Sequence, residues 1–317
     1  MRTLWTAPLL AAGILTLTGC VDWGDFGPSD RYKEDFHHSY PLNSGGTVSV
    51  ENFNGPVEIM SWDEDSVEVN GTKYASQRSF LDDMKIDISA TPGAVHIRTT
   101  RPSMSHGNFG ARYSIRVPKH VILDEIVSSN GGIRIDRVEG SARLRTSNGG
   151  IRIDGLKGDL NARTSNGSIE LRDMDGNARL HTSNGHIDAE ATHGSFEAET
   201  SNSKIEATLD DPAPDWPIKL HTSNGHIEIT LRGSKIPDLR AETSNNSIVL
   251  RVPSSLNARV HASTSRHSSV TTDFDELFHG DEEDRRGRRS EVDGRIGSGG
   301  PLIDLSTSNG PIKILKQ

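Results

Sequence analysis

Apolar and polar positions alternate along most of this chain, and the alternation is itself repeated. In Ile133-Arg134-Ile135, Ile151-Arg152-Ile153, Ile169-Glu170-Leu171 and Ile187-Asp188-Ala189 every second residue is apolar, which is the period of a half-buried strand. The Ile column runs on through Ile205, Ile227, Ile248 and Ile312, and its companion two residues later through Ala207, Ile229, Leu250 and Ile314. A second alternating segment precedes each of these. Its apolar pairs are Ala142 with Leu144, Leu160 with Ala162, Ala178 with Leu180 and Phe196 with Ala198. Large and small side chains trade places between neighbours, as interdigitating layers require.

Between the two segments stands Ser-Asn, usually followed by Gly, at Asn130, Asn148, Asn166, Asn184, Asn202, Asn224, Asn245 and Asn309; the first four spacings are each 18 residues. A fixed period of this kind signals a solenoid in which each repeat is one coil stacked on the next. The expected fold is all-β: a single-stranded parallel β-helix with about 18 to 22 residues per coil, right-handed by the preference of parallel crossovers. By parity Thr146, Thr164, Thr182 and the adjoining Asn point inward at a corner, where Asn side chains about 4.8 Å apart can hydrogen-bond along the stack. The Gly after each Asn is expected at positive φ. Gly140, Gly158, Gly176 and Gly194 mark a second turn, and Val138, Leu156 and Met174 between the two turns predict a third wall.

The flanks divide the chain further. Arg2, an apolar stretch from Leu9 to Leu17 and then Leu17-Thr18-Gly19-Cys20 read as an export signal over residues 1–20, too short to span a bilayer. Residues 21–45, rich in Asp, Gly, Ser and Pro, predict a flexible tether. Residues 46–120 carry the strand pattern more loosely and are expected to cap the parallel edge, with the regular solenoid over 121–317. Within it, 273–298 is a densely charged insertion read as a solvated hairpin.

Composition agrees with short strands and turns: 31 Gly and 5% aromatics in 317 residues. The net charge of −9 is spread over interleaved acids and bases, so nothing favours nucleic acid as a partner. Cys20 is the only cysteine, which removes disulfides from the argument.

Leu17-Thr18-Gly19-Cys20 resembles the lipobox of bacterial lipoproteins. The resemblance implies diacylglycerol on the Cys20 thiol, cleavage before it, and a membrane partner through the lipid. The protein is then expected to be exported and lipid-anchored in the cell envelope, at the outer membrane or facing the periplasm; Val21 after the Cys, by likeness to enterobacterial sorting, implies the outer membrane. Asn54-Gly55-Pro56-Val57-Glu58-Ile59 leading to Trp62-Asp63, Tyr113-Ser114-Ile115-Arg116-Val117-Pro118, the Thr-Ser-Asn-Gly repeats and the terminal Leu305-Ser306-Thr307-Ser308-Asn309-Gly310 resemble the DUF4097 family of β-strand repeat proteins, provisionally called adhesins. Over residues 46–317 that resemblance implies a parallel β-helix in the cell envelope and carries no active-site motif.

The chemistry in the chain is sparse. Thr-Ser-Asn-Gly or a close variant recurs from coil to coil, whereas an active site is a single constellation, so no catalytic residues and no cofactor are expected. His181 with His186 and His221 with His226 flank two corners; two coils apart, the pairs are about 9.6 Å from each other by strand spacing and cannot share one zinc ion. Glu170, Asp188, Glu206 and Glu228 form an outward carboxylate column on four successive coils. It is either neutralised by the adjoining His186, Lys204 and His226 or a candidate Ca²⁺ site. The leading functional reading is a non-enzymatic envelope scaffold or adhesin, with an envelope protein or polysaccharide as partner. An envelope-stress component touching a membrane signalling protein is the alternative. A carbohydrate-active enzyme, the third class, would draw on the loop 208–217 with Asp210, Asp211, Asp215 and Trp216.

Overall fold

A computed structural model describes residues 31–317 except 103–106, 213, 234, 266 and 278–289. Almost every described element is a strand, and the strands form two long, largely parallel sheets of 13. One regular coil shows the plan. Ala142–Thr146 lies in one sheet, a four-residue corner turns the chain, Ile151–Lys157 lies in the other sheet, and Gly158-Asp159 turns it back. The next coil pairs in register 18 residues later, Ile151 with Ile169 and Leu144 with Ala162. The inward columns of both sheets merge into one apolar core running from Leu42 to Ile314, so most inward residues of 46–120 share an interior with the repeats, while Ala75, Phe80, Leu81, Met84 and Phe109 form a small cluster of their own.

The corner explains the repeated Thr-Ser-Asn-Gly. Strand parity ends at the Thr, which is buried: Thr164, Thr182, Thr200 and Thr222 are 4% exposed or less. Each Thr hydroxyl donates to a carbonyl of the coil before, as Thr146 to Gly131 at 2.9 Å, Thr164 to Gly149 at 2.9 Å and Thr182 to Gly167 at 2.9 Å. It also accepts the N–H of the Gly in its own corner, as Gly167 to Thr164 at 3.3 Å. The expectation of inward Asn is corrected: the residues after Thr bend instead of continuing the strand, and all eight Asn side chains stand at the surface.

They form the expected ladder there. Asn148 donates to Asn130 at 2.7 Å, Asn166 to Asn148 at 2.7 Å, Asn184 to Asn166 at 2.8 Å and Asn202 to Asn184 at 2.8 Å. The series ends with Asn224 to Asn202 at 2.9 Å, Asn245 to Asn224 at 2.8 Å and Asn309 to Asn245 at 2.9 Å.

The role given to the corner glycines is also corrected. Gly149, Gly167 and Gly185 do not have positive φ. They are needed because a Cβ there would collide with the carbonyl of the Gly one coil back. Positive φ belongs to the second column, Gly140, Gly158, Gly176 and Gly194, at +119° to +148°, where other residues are strained. Nor is there a third wall. Val138, Leu156 and Met174 lie in the same strands as the Ile columns, beyond an extra outward residue at Arg137, Gly155 and Asp173 whose φ is positive. That bulge resets the parity and turns the far end of each strand back onto the core.

Both ends of the stack depart from chain order. Val57–Trp62 pairs with Phe109–Pro118 on one side and with Ile133–Glu139 on the other. At the far end Ile312–Lys316 lies between Ile248–Val252 and Val270–Thr272, and Leu302–Thr307 lies between Leu239–Thr243 and Ala258–Ser263. The C-terminal coil is thus inserted inside the stack. Antiparallel strands finish most edges: Tyr32–Pro41 on Ser66–Ala75, Lys85–Thr91 on Ala94–Thr100, and Glu291–Ile296 on Ala258–Ser263. Two boundaries change in consequence. Residues 32–41 of the expected tether are a strand, drawn in by Phe36, whose ring packs edge-on to Tyr113 with 5.7 Å between centroids. Within 273–298, residues 291–296 are a capping strand and Phe274 and Leu277 are buried, while 278–289 lie outside the described residues.

Gly167→Ala is expected to cost at least about 2 kcal/mol by overpacking, whereas Gly150→Ala, whose Cβ would come no nearer than 3.4 Å to Ser168, stays within about 1 kcal/mol; urea midpoints separate the two. Deleting residues 301–317 removes a coil from the interior of the stack, so amide protection is expected to vanish over 258–272 and to persist over 142–232, read by hydrogen exchange.

Candidate functional site

Strand pairing decides which sequence candidates meet. Glu170 lies beside Asp188, Asp188 beside Glu206 and Glu206 beside Glu228, so the carboxylate column is real. Bases meet three of its members. Arg152 pairs with Glu170 at 3.1 Å, Lys204 with Glu206 at 2.7 Å, and Arg251 with Glu228 at 3.1 Å, His226 lying 3.7 Å from the same Glu228. Asp188 sits between them. Partial burial pushes its carboxyl above the ordinary 3.8, Glu190, Glu206 and Glu170 push the same way, and Arg172 opposes them. Among the described residues no cluster of three His, Cys, Asp or Glu has a geometry that could hold a metal ion.

The two His motifs serve cross-strand contacts. His181 lies 3.3 Å from Glu199 and His221 3.8 Å from Glu242, each one coil on, and His226 bonds the Ser247 hydroxyl at 2.7 Å. In the loop candidate, Asp210 faces Arg232 at 3.4 Å while Trp216 projects elsewhere, 56% exposed. The loop's carboxylates and its Trp therefore do not converge.

Trp216 instead closes one end of a groove of about 690 Å³ on the outer face of the second sheet, which starts at Ile122 and Asp124 and ends at Trp216, Pro217 and Lys219. One wall is the residue after each turn glycine: Ser141, Asp159, Asn177 and Ser195. These link along the rod, Ser195 donating to Asn177 at 2.7 Å and Asn177 to Asp159 at 2.8 Å. The floor carries Arg143, which bonds Asp124, and Arg179, which bonds Glu197 at 2.9 Å. Sequence reasoning singled out Trp216 and missed this wall, although its 18-residue period beside the Gly column was available. Cys20 lies outside the described residues.

No protein-family profile matches the chain, and no curated protein matches it. Among solved structures it is similar to a protein of Bacteroides fragilis provisionally described as an adhesin, with 13% identity, 90% of this chain and 97% of that one covered, and a TM-score of 0.37. A protein of Parabacteroides distasonis described in the same way has 8% identity, coverage of 89% and 97%, and a TM-score of 0.38. Another from that organism, provisionally described as lipid binding, has 11% identity, coverage of 91% and 98%, and a TM-score of 0.27. At this distance the likenesses carry no assignment of function.

Asp188 yields a pH test. Because its folded-state pKa is raised, the folded chain binds the extra proton between the ordinary and the raised value, and stability falls as pH rises through that window. Asp188→Asn is expected to raise the thermal midpoint at pH 7, with the gain disappearing below the ordinary carboxylate range; melting curves from pH 3 to 7 check both.

Proposed function

We propose that this chain is a non-enzymatic, lipid-anchored β-solenoid of the bacterial cell envelope, whose rigid outer faces present a binding surface of the adhesin or scaffold type. One observation carries the non-enzymatic part. The repeated polar residues are consumed by the corner, each Thr and Asn bonding to the coil before it and the Gly N–H bonding to the Thr of its own corner, so the motif that recurs most is structural. The exposed columns are then closed by cross-strand pairs such as Arg179–Glu197 and Arg172–Glu190. Such surface pairs are individually worth no more than about 1 kcal/mol and leave an extended, charge-balanced surface suited to contact along its length.

Membrane attachment through Cys20 is the sequence-based part of the reading. The fold has begun by Tyr32, so no more than residues 21–31 separate Cys20 from it. Tyr32–Pro41 is the outermost strand of its sheet at the N-terminal end of the stack, so an anchor there would set that end toward the membrane and the repeats beyond it. No described helix is long and apolar enough to cross a membrane. The family resemblance to β-strand repeat proteins of the envelope belongs to the same proposal.

Cys20→Ser is expected to abolish incorporation of a labelled fatty acid and move the protein out of the membrane fraction, with the thermal midpoint unchanged. Label retained on the variant would sink the anchor.

A further inference from the structure

We infer that the groove ending at Trp216 is a binding site for an uncharged, extended glycan chain lying along the rod. This rests on the binding-surface reading and names its ligand class. The groove crosses six neighbouring strands, from Ile122–Ser128 to Ile218–Thr222, a length of about 24 Å at the spacing of parallel strands. That is the shape of a linear polymer, not of a compact metabolite.

Charge narrows the polymer. Asp124, Asp159 and Glu197 are matched by Arg143, Arg179 and Lys219, three against three, and the contacts Arg143–Asp124 and Arg179–Glu197 are already made. A polyanion or polycation would have to break these pairs and would find no net field to enter. An uncharged, hydroxyl-rich chain need not.

The polar wall supplies the donors and acceptors. In the run Ser195 to Asn177 to Asp159, each side chain uses one group on its neighbour. Asn177 keeps a second N–H and Asp159 a second carboxylate oxygen, groups suited to hydroxyl recognition. Each coil places one polar wall residue here, Ser141, Asp159, Asn177 and Ser195 in turn, a step close to the advance of one sugar ring in an extended chain, so each successive ring can meet a polar partner. A peptide strand is a poorer fit, because the sheet's backbone groups are spent on neighbouring coils and none remains for strand addition.

Trp216 completes the site. An indole 56% exposed at the end of a groove offers the flat apolar face that packs against the C–H face of a pyranose, with an N–H at its rim. The coil that carries it is four residues longer than the regular ones, Asn202 to Asn224 against 18, and the excess is the loop that puts Trp216 there. Pro212, Pro214 and Pro217 limit its backbone freedom.

The test titrates the full-length protein in detergent with a panel of uncharged linear hexasaccharides, β-linked glucose, N-acetylglucosamine and mannose among them, and with hexagalacturonate as the anionic control. Calorimetry and tryptophan fluorescence are the readouts. At least one uncharged hexasaccharide is expected to bind, with Trp216→Ala weakening it tenfold or more and Asn177→Ala by a smaller factor, at unchanged thermal midpoints. Binding that Trp216→Ala does not alter, tighter binding of hexagalacturonate, or no binding across the uncharged panel overturns the inference. Isolated cell envelopes separate the two readings: retention on envelopes without hexasaccharide binding removes the glycan groove and leaves the binding surface, and retention on neither removes both.

Discussion

The structure depends on one contact, the approach of each corner to the backbone of the corner before it. Parallel strands sit about 4.8 Å apart, and the corner must keep that spacing; its backbone contributes a ladder of its own, the N–H groups of Ser165 and Asn166 both donating to the Ser147 carbonyl, at 3.2 and 3.0 Å. Thr helps keep the spacing by donating to the preceding carbonyl and accepting the N–H of its own Gly, and Gly does so by having no Cβ where that carbonyl lies. With the corners fixed at strand spacing, the Ile columns stack in register and the core closes. The Asn ladder follows from the same geometry and adds a bond per coil at the surface.

This constraint divides the chain by purpose. Residues that recur are held by the corner, the core or a cross-strand pair, so distinctive chemistry is found where the period breaks. The coil from Asn202 to Asn224 is such a place, since its extra residues bring out Trp216 and end the groove. The carboxylate column is the opposite case, regular in register and neutralised by bases at all but Asp188.

The ends answer a problem the middle creates. A stack of parallel coils has two open edges able to template further strands. Here each end coil is tucked under a later or earlier one, and antiparallel strands finish most of what remains. The terminal coil Leu302–Lys316 gains two neighbours instead of one.

The sequence by itself determined the period, the inward Ile and Leu columns, the all-β class and the Asn ladder, because each depends on spacing along the chain and strand parity is local. It could not decide where parity stops. Asn148 lies outside and Val138 inside because the corner bends at Ser147 and a bulge at Arg137 resets the alternation; both are backbone events that one side chain more or less does not announce. The reason Gly follows Asn was likewise hidden, since the obstructing carbonyl belongs to a residue 18 positions away. Of the candidate site, Trp216 was legible as an exception to the repeat. Its groove was not, because it is made by Ser141, Asp159, Asn177 and Ser195 from four separate coils, and only the stacking of those coils makes them neighbours.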